Sequence, residues 1–204
     1  MITCSIIQKS QLEGAHRLDA EYYQPEYLSI KNQLIKYKNI SPLCGLISTK
    51  TGPAYSSEEL GKTFEIPLAR IGDVTNKTDI EEWFKLSKKE FRKFHSSKIN
   101  NGDILMTMTG DPPDVGKVNF VKNDKNIELA FNQRVAKLSP KKINNKFLFA
   151  YLSTEFSRFQ AERAALGIRQ RNLGIEDLRN ILVIIPTENK SKEIERAVDS
   201  YLSE

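Results

Sequence analysis

Histidine and cysteine are scarce in this chain: two of each in 204 residues. His16 and His95 form no recognisable constellation with a nucleophile and a carboxylate, so a catalytic triad has no visible support. Cys4 and Cys44 lie far from each other and from both histidines, without metal-ligand spacing. The expectation is two buried free thiols in a reducing cytoplasm, with no metal and no disulfide. Long hydrophobic runs are also missing. No stretch approaches the ~20 apolar residues that span a bilayer, and the opening MITCSIIQKS lacks the basic flank of a secretory signal. Clustered carboxylates for hydrolysis are absent too: Asp19-Ala20-Glu21 and Glu81-Glu82 are isolated acidic spots that solvation alone explains.

What is present is a globular composition, 39% hydrophobic and 28% charged, with a net charge of +5. The length suits one well-buried domain, with room for an appendage. The charge is unevenly spread. Residues 132–171 hold nine Lys or Arg against Glu155 and Glu162, and residues 85–98 hold six against Glu90. From 172 to 204 the sign reverses, with seven acids against four bases. Two basic blocks and an acidic tail suggest a polyanion for the body and another role for the tail. The competing explanation is lysines that merely solvate helix faces.

One stretch imitates chemistry. In "GDILMTMTGDPPDVGKV", residues 102–118, Gly110 and Gly116-Lys117 resemble a phosphate loop. That loop needs four residues between its glycines and Ser or Thr after the lysine. Here there are five, and Val118 follows. Pro112 and Pro113 offer no N–H, while Asp111 and Asp114 repel anions. Asp-Pro-Pro followed by an aromatic would grip a flipped base, but Asp114 has no ring to stack. No glycine-rich strand–turn–helix for a methyl donor accompanies it. The stretch reads as a hairpin over 103–122, its turn at 110–116.

Along the chain, residues 2–7 read as a strand and Pro25 opens a helix to about residue 37. A strand follows at 43–48, then a polar loop, "TKTGPAYSSEELGK", long enough to reach a ligand. Residues 64–71 alternate like a strand, and Ser87 caps a basic helix to 94. Strands follow the hairpin near 127–131 and 133–138. The apolar spacing of Phe147, Leu148, Tyr151, Leu152, Phe156 and Phe159 predicts one helix over 145–165, stopped at Gly167. A short helix at 175–180, a buried strand "NILVIIP" and a helix over 188–202 complete the pattern. The last helix carries Ile194, Ala197, Val198, Tyr201 and Leu202 on one stripe, spaced as in a coiled coil. It has no C-cap, as though cut from a longer helix; a docked terminal helix is the alternative.

With catalysis unsupported, recognition is left. Asn132-Gln133-Arg134 stands at a strand entrance, and Arg169-Gln170-Arg171-Asn172 fills a loop between helices. Gln and Asn can pair with both edges of adenine, and Arg with guanine O6 and N7. Such loops combine base-reading chemistry with charge for phosphates. A plain polar loop whose Asn caps the next helix remains the alternative.

In order, "RLDAEYYQPEY" (17–27), "LARIGDV" (68–74), "GDILMTMTG…GKV" (102–118), "NQRVAKLSP" (132–140), "FLFAYLST" (147–154) and "GIRQRNLGIEDLRNILVIIP" (167–186) resemble the specificity subunit of type I restriction–modification systems. The resemblance implies an α/β (α+β) target recognition globule over 1–186, with a mixed sheet and flanking helices. A coiled-coil-like spacer or dimerisation helix would start at 187–204. It implies a non-catalytic, cytoplasmic, cofactor-free component that binds half of a split double-stranded DNA site and directs methyltransferase and restriction subunits to it. Candidate DNA-facing residues are Lys50, Arg70, Thr107, Thr109, Lys117, Asn132, Gln133, Arg134, Lys141, Lys142, Arg169, Gln170, Arg171 and Asn172. The Ile194–Leu202 stripe would join a methyltransferase partner or a second copy.

Two departures stand out. The family's full subunit resembles two such units in tandem, and the spacer's Pro- and Glu-Gln-rich start is reduced to "IPTENKSKEIE". A half-length subunit that pairs with itself, or a shortened chain, would explain the first. The second puts the usual contact to the methyltransferase in doubt. The specificity domain of a fused type II restriction–methylation enzyme is an alternative, against which the start at Met1 speaks. So is a protein-interaction module with a basic face.

Overall fold

The computed structural model describes residues 4–9, 19–94, 98–111, 113–167 and 170–203. Seven helices are described among them: α1 (Pro25–Leu34), α2 (Ile71–Asn76), α3 (Lys88–Lys93), α4 (Asn145–Leu152), α5 (Glu155–Ala164), α6 (Ile175–Arg179) and α7 (Glu188–Tyr201). The strands are β1 (Ile40–Pro42), β2 (Ile47–Thr51), β3 (Leu60–Gly61), β4 (Ile66–Ala69), β5 (Phe84–Leu86), β6 (Ile104–Thr107), β7 (Thr109–Gly110), β8 (Val118–Phe120), β9 (Ala130–Phe131), β10 (Val135–Pro140), β11 (Arg171–Asn172) and β12 (Leu182–Ile184).

An antiparallel sheet in the order β2-β10-β6-β8 forms the centre. The expected hairpin is its β6–β8 pair, with Ile104 opposite Phe120 and Met106 opposite Val118. Side chains alternate across a strand, and here both faces are covered. Ile104, Met106, Ala136 and Leu138 pack under α4–α7, whereas Leu105 and Val135 join Trp83, Leu129 and Phe131 on the other side. Burial on two faces explains why "ILM" is an unbroken apolar run. A second sheet, β3-β5-β4-β9, is antiparallel except for its β4–β9 pair. Phe91 of α3 packs on Ile66, Leu68 and Leu86 of that sheet. The mixed sheets and flanking helices agree with the α/β (α+β) expectation.

Several boundaries differ from the sequence reading. Residues 4–7 carry no strand, and Ile6 is 92% exposed. Helix α1 ends at Leu34, leaving Ile35 exposed, because only Tyr27 and Leu34 find a core. Residues 43–45 form a 3-10 turn, and β2 begins at Ile47. Strand β4 covers only Ile66–Ala69 and is buried at all four residues, not alternating; Gly72 and Asp73 lie inside α2. The 145–165 helix is two helices. The Ser153 hydroxyl donates to the Phe149 carbonyl at 2.8 Å and the Thr154 hydroxyl to Tyr151 at 2.6 Å. Such side-chain bonds compete with the helical ladder, and Thr154 turns extended to begin α5. Cys4 and Cys44 are exposed, not buried. Asn144, by contrast, caps α4 through its side chain, and Ser87 caps α3 as expected.

Helix α7 lies on the body. Val198 is buried, and Ile194 and Leu202 pack against the cluster that contains Phe149. Lys77 donates to the Tyr201 hydroxyl at 2.8 Å, Lys122 to the Leu202 carbonyl at 3.2 Å, and Lys146 pairs with Asp199. Among the described residues no helix is long and apolar enough to cross a membrane.

Candidate nucleic-acid interface

Strand β10 runs through the central sheet and ends at two polar sites. At its start, the Asn132 N–H donates to the Ala69 carbonyl at 3.2 Å, and its side-chain oxygen accepts the Arg134 N–H at 3.1 Å. This Asx turn leaves Gln133 and Arg134 exposed. Gly52 seats the turn from behind. A Cβ there would come within 2.1 Å of the Phe131 carbonyl oxygen, so backbone closes on backbone. The polar loop after Gly52 leans on α3, where Tyr55 and Phe94 meet edge to face at 5.7 Å.

Backbone bonds lace two further segments onto this turn. The Met108 N–H donates to Arg134 at 2.9 Å, and the Met108 carbonyl accepts the Leu173 N–H at 2.8 Å. Beside them β7 pairs with β11, Gly110 opposite Arg171 and Thr109 opposite Asn172. Leu166 and Asn172 exchange N–H···O bonds of 2.9 and 2.7 Å. Gly167 makes the bend at φ 127°, where a Cβ would meet the Gln170 carbonyl at 2.2 Å. Thus Asn132, Gln133, Arg134, Thr109, Gln170 and Asn172 gather at one end of the sheet, from three segments distant in sequence. Arg169 lies outside the described residues.

Not every candidate points outward. Thr107 is fully buried, and its hydroxyl donates inward to the Asp114 carbonyl. Thr109 is 9% exposed and donates to the Asn172 side-chain oxygen at 2.9 Å. Lys117 is tied to Asp114 at 2.7 Å. The expectation that Thr107 faces DNA is therefore corrected: Val115, 0% exposed, is drawn into the core and brings the 110–116 turn onto Thr107. Arg171 is corrected as well. Its side chain is 11% exposed and ion-paired to Glu21 at 2.8 Å, because alternation along β11 turns it to the face opposite Asn172. Arg70 precedes α2, with its guanidinium 4.3 Å over the Phe84 ring and 3.5 Å from Asp73. Lys50 is exposed on β2, opposite Lys137.

At the other end of β10, Lys141 and Lys142 are exposed, and their N–H groups are fixed to the Leu46 carbonyl at 2.9 and 3.0 Å. The basic block itself thins out. Lys137 reaches the Lys98 carbonyl at 2.6 Å and Asp103 at 3.8 Å, and burial pushes its ammonium below the usual lysine range. Lys146 pairs with Asp199, Arg158 with Glu155 and Glu162, and Arg163 stacks 4.0 Å over Tyr22. Sequence counting could not separate these cations from Arg134, Lys141 and Lys142. It also missed Gly52, whose only signal is a glycine opening a polar loop. Among the described residues no group of His, Cys, Asp and Glu could hold a metal ion.

Residues 33–204 match the family described as the type I restriction modification DNA specificity domain. The specificity subunit of the type I restriction enzyme EcoBI from Escherichia coli is 27% identical over 190 residues, covering 87% of this chain. The chain spans 39% of that relative's length. The fold is similar to the type I S subunit from M. genitalium, with a TM-score of 0.59 and 14% identity over 81% of this chain and 39% of that one. It is also similar to the HsdS subunit from Thermoanaerobacter tengcongensis, at 0.57 and 15% over 86% and 43%. The type IIG restriction endonuclease BpuSI contains a similar fold, at 0.61 and 8% over 95% and 30%. With the match running through both sheets and through α4–α7, the chain belongs to the type I restriction modification DNA specificity domain family.

Proposed function

We propose that this chain recognises one half of a split double-stranded DNA target, as a non-catalytic specificity component in the cytoplasm. It directs methyltransferase and restriction subunits to that site. The observation that carries this reading is the lacing of Gln133-Arg134 to the segment around Gln170 through the Met108 backbone. Two exposed segments with base-pairing side chains then sit on rigid strand ends rather than on a long free loop. Lys50, Lys141 and Lys142 supply phosphate contacts, which position the duplex without reading it. Residues 1–186 form the recognition unit, and 187–204 begin the helix that spaces it from a second unit.

A second copy would supply the other half-site, making the target palindromic with a fixed spacer. Of the helix stripe, Ile194, Val198 and Leu202 pack on this chain's own body, which leaves Ala197 and Tyr201 exposed for such a contact. Sedimentation at high concentration as a strict monomer, with and without the methyltransferase, would count against the pairing.

The function is tested by titrating labelled target duplex with the full-length protein and its methyltransferase, against random-sequence competitor, across salt. Binding should resist the competitor and weaken steeply with salt, each phosphate contact adding about 0.9 to the log–log slope. Equal displacement by random duplex, or a flat salt response, would reject it.

A further inference from the structure

Residues 19–27, part of the "RLDAEYYQPEY" segment, contribute none of the exposed polar side chains at the candidate interface. They meet Arg171 of β11. The Arg171 guanidinium donates to Glu21 at 2.8 Å and to the Glu162 carbonyl at 3.3 Å, and it contacts the Tyr27 hydroxyl. Its Nε is buried without a hydrogen-bond partner. Burial raises the Glu162 carboxyl above the usual range, opposed by Arg158 and Arg171. Glu21 supplies the carboxylate that pairs with this guanidinium from the solvent side, its own side chain 56% exposed.

Glu21 is itself held firmly. It sits in the 3-10 turn Ala20–Tyr23, capped by Asp19, whose carboxylate accepts the Tyr22 N–H at 3.0 Å. Arg163 of α5 stacks on the Tyr22 ring and donates through Nε to the Tyr22 carbonyl at 3.0 Å. Tyr27 meets Phe159 of α5 edge to face at 5.8 Å. The turn is thereby fastened to the helix that leads into the recognition loop. Along β11 the inward Arg171 side chain sets its strand neighbour Asn172 outward, and the exposed Gln170 leads into the strand.

We infer that Glu21, acting through Arg171, is a positioning residue for base recognition: it anchors the strand so that Gln170 and Asn172 face the DNA. This rests on the DNA-recognition reading above. Removing the carboxylate leaves a largely buried guanidinium to move or rehydrate, and a shift of about 1 Å degrades a bidentate contact.

The test uses the full-length protein bound to its methyltransferase, with the host's methylated sequence as target duplex and a set carrying single base-pair changes. Glu21→Gln is compared with wild type and with Glu188→Gln, which removes an exposed pair to Lys192 on α7. The Glu21 side chain is 56% exposed, so the amide leaves no cavity. Glu21→Gln should lower discrimination about tenfold at the positions read by the loop. Melting temperature and affinity for random duplex should stay at the wild-type values, and Glu188→Gln should match wild type throughout. Unchanged discrimination in Glu21→Gln would overturn the inference, as would equal loss of affinity for target and random duplexes. If the wild-type protein prefers no duplex, the recognition reading itself fails and the inference falls with it.

Discussion

The two ends of β10 carry similar sequence signals and are built differently. At one end Gln133-Arg134 is locked by an Asx turn, by the close approach of Gly52, and by backbone bonds to two distant segments. At the other end Lys141-Lys142 has its backbone fixed to Leu46 and its side chains exposed to solvent. Six residues of strand separate them by about 20 Å. That exceeds the major groove width of about 12 Å, so the two ends cannot lie side by side across one groove. The rigid end suits base recognition, where a small misplacement is costly. The exposed lysine end suits phosphates, which tolerate it. On the proposed function, charge marks a region that can meet DNA, and backbone constraint marks where sequence can be read.

The largest expected effect strikes both ends together. Leu138 lies in β10 at 0% exposure, and Leu138→Ala should destabilise the protein by about 2–5 kcal/mol. Thermal unfolding would show this, and target and random duplexes should be affected alike. Next is Gly167→Ala, which must resolve a positive φ and a contact at 2.2 Å. About 1–3 kcal/mol of strain is expected, released by distorting the 166–172 loop. Selectivity should fall more than stability; a loss of stability with selectivity intact would break the comparison. Arg134→Ala should cost about 1–3 kcal/mol against one base pair and little against the rest, read from competition with substituted duplexes. The smallest effect belongs to Lys141→Ala and Lys142→Ala. Each should lower the salt slope by about 0.9 and weaken all sequences equally; a change confined to one base pair would reverse the roles of the two ends.

Much of this design was legible in the sequence, for reasons that individual residues make plain. The β6–β8 hairpin, the Ser87 cap and the α6 start at Ile175 follow from local chemistry, and the structure keeps them. The break at Ser153-Thr154 did not follow, since the apolar spacing continues across it while hydroxyl-to-carbonyl bonds end α4. At the interface, residue type pointed to Gln133, Arg134 and Gln170. It pointed equally to Thr107 and Arg171, which long-range packing turns inward toward Asp114 and Glu21. Those partners lie 7 and 150 residues away in sequence, and the second lies beyond any local pattern. The exposure of Cys4 and Cys44 likewise depends on which surfaces the fold leaves bare.

The central claim is that the rigid end of β10 reads bases through Gln170 and its neighbours. It is tested most directly by mapping methylated sequences genome-wide in cells that carry Gln170→Ala in place of the wild-type protein. The account predicts the same split motif with one position made degenerate. An unchanged motif, methylated less completely at every site, would contradict it and reduce the loop to a phosphate clamp.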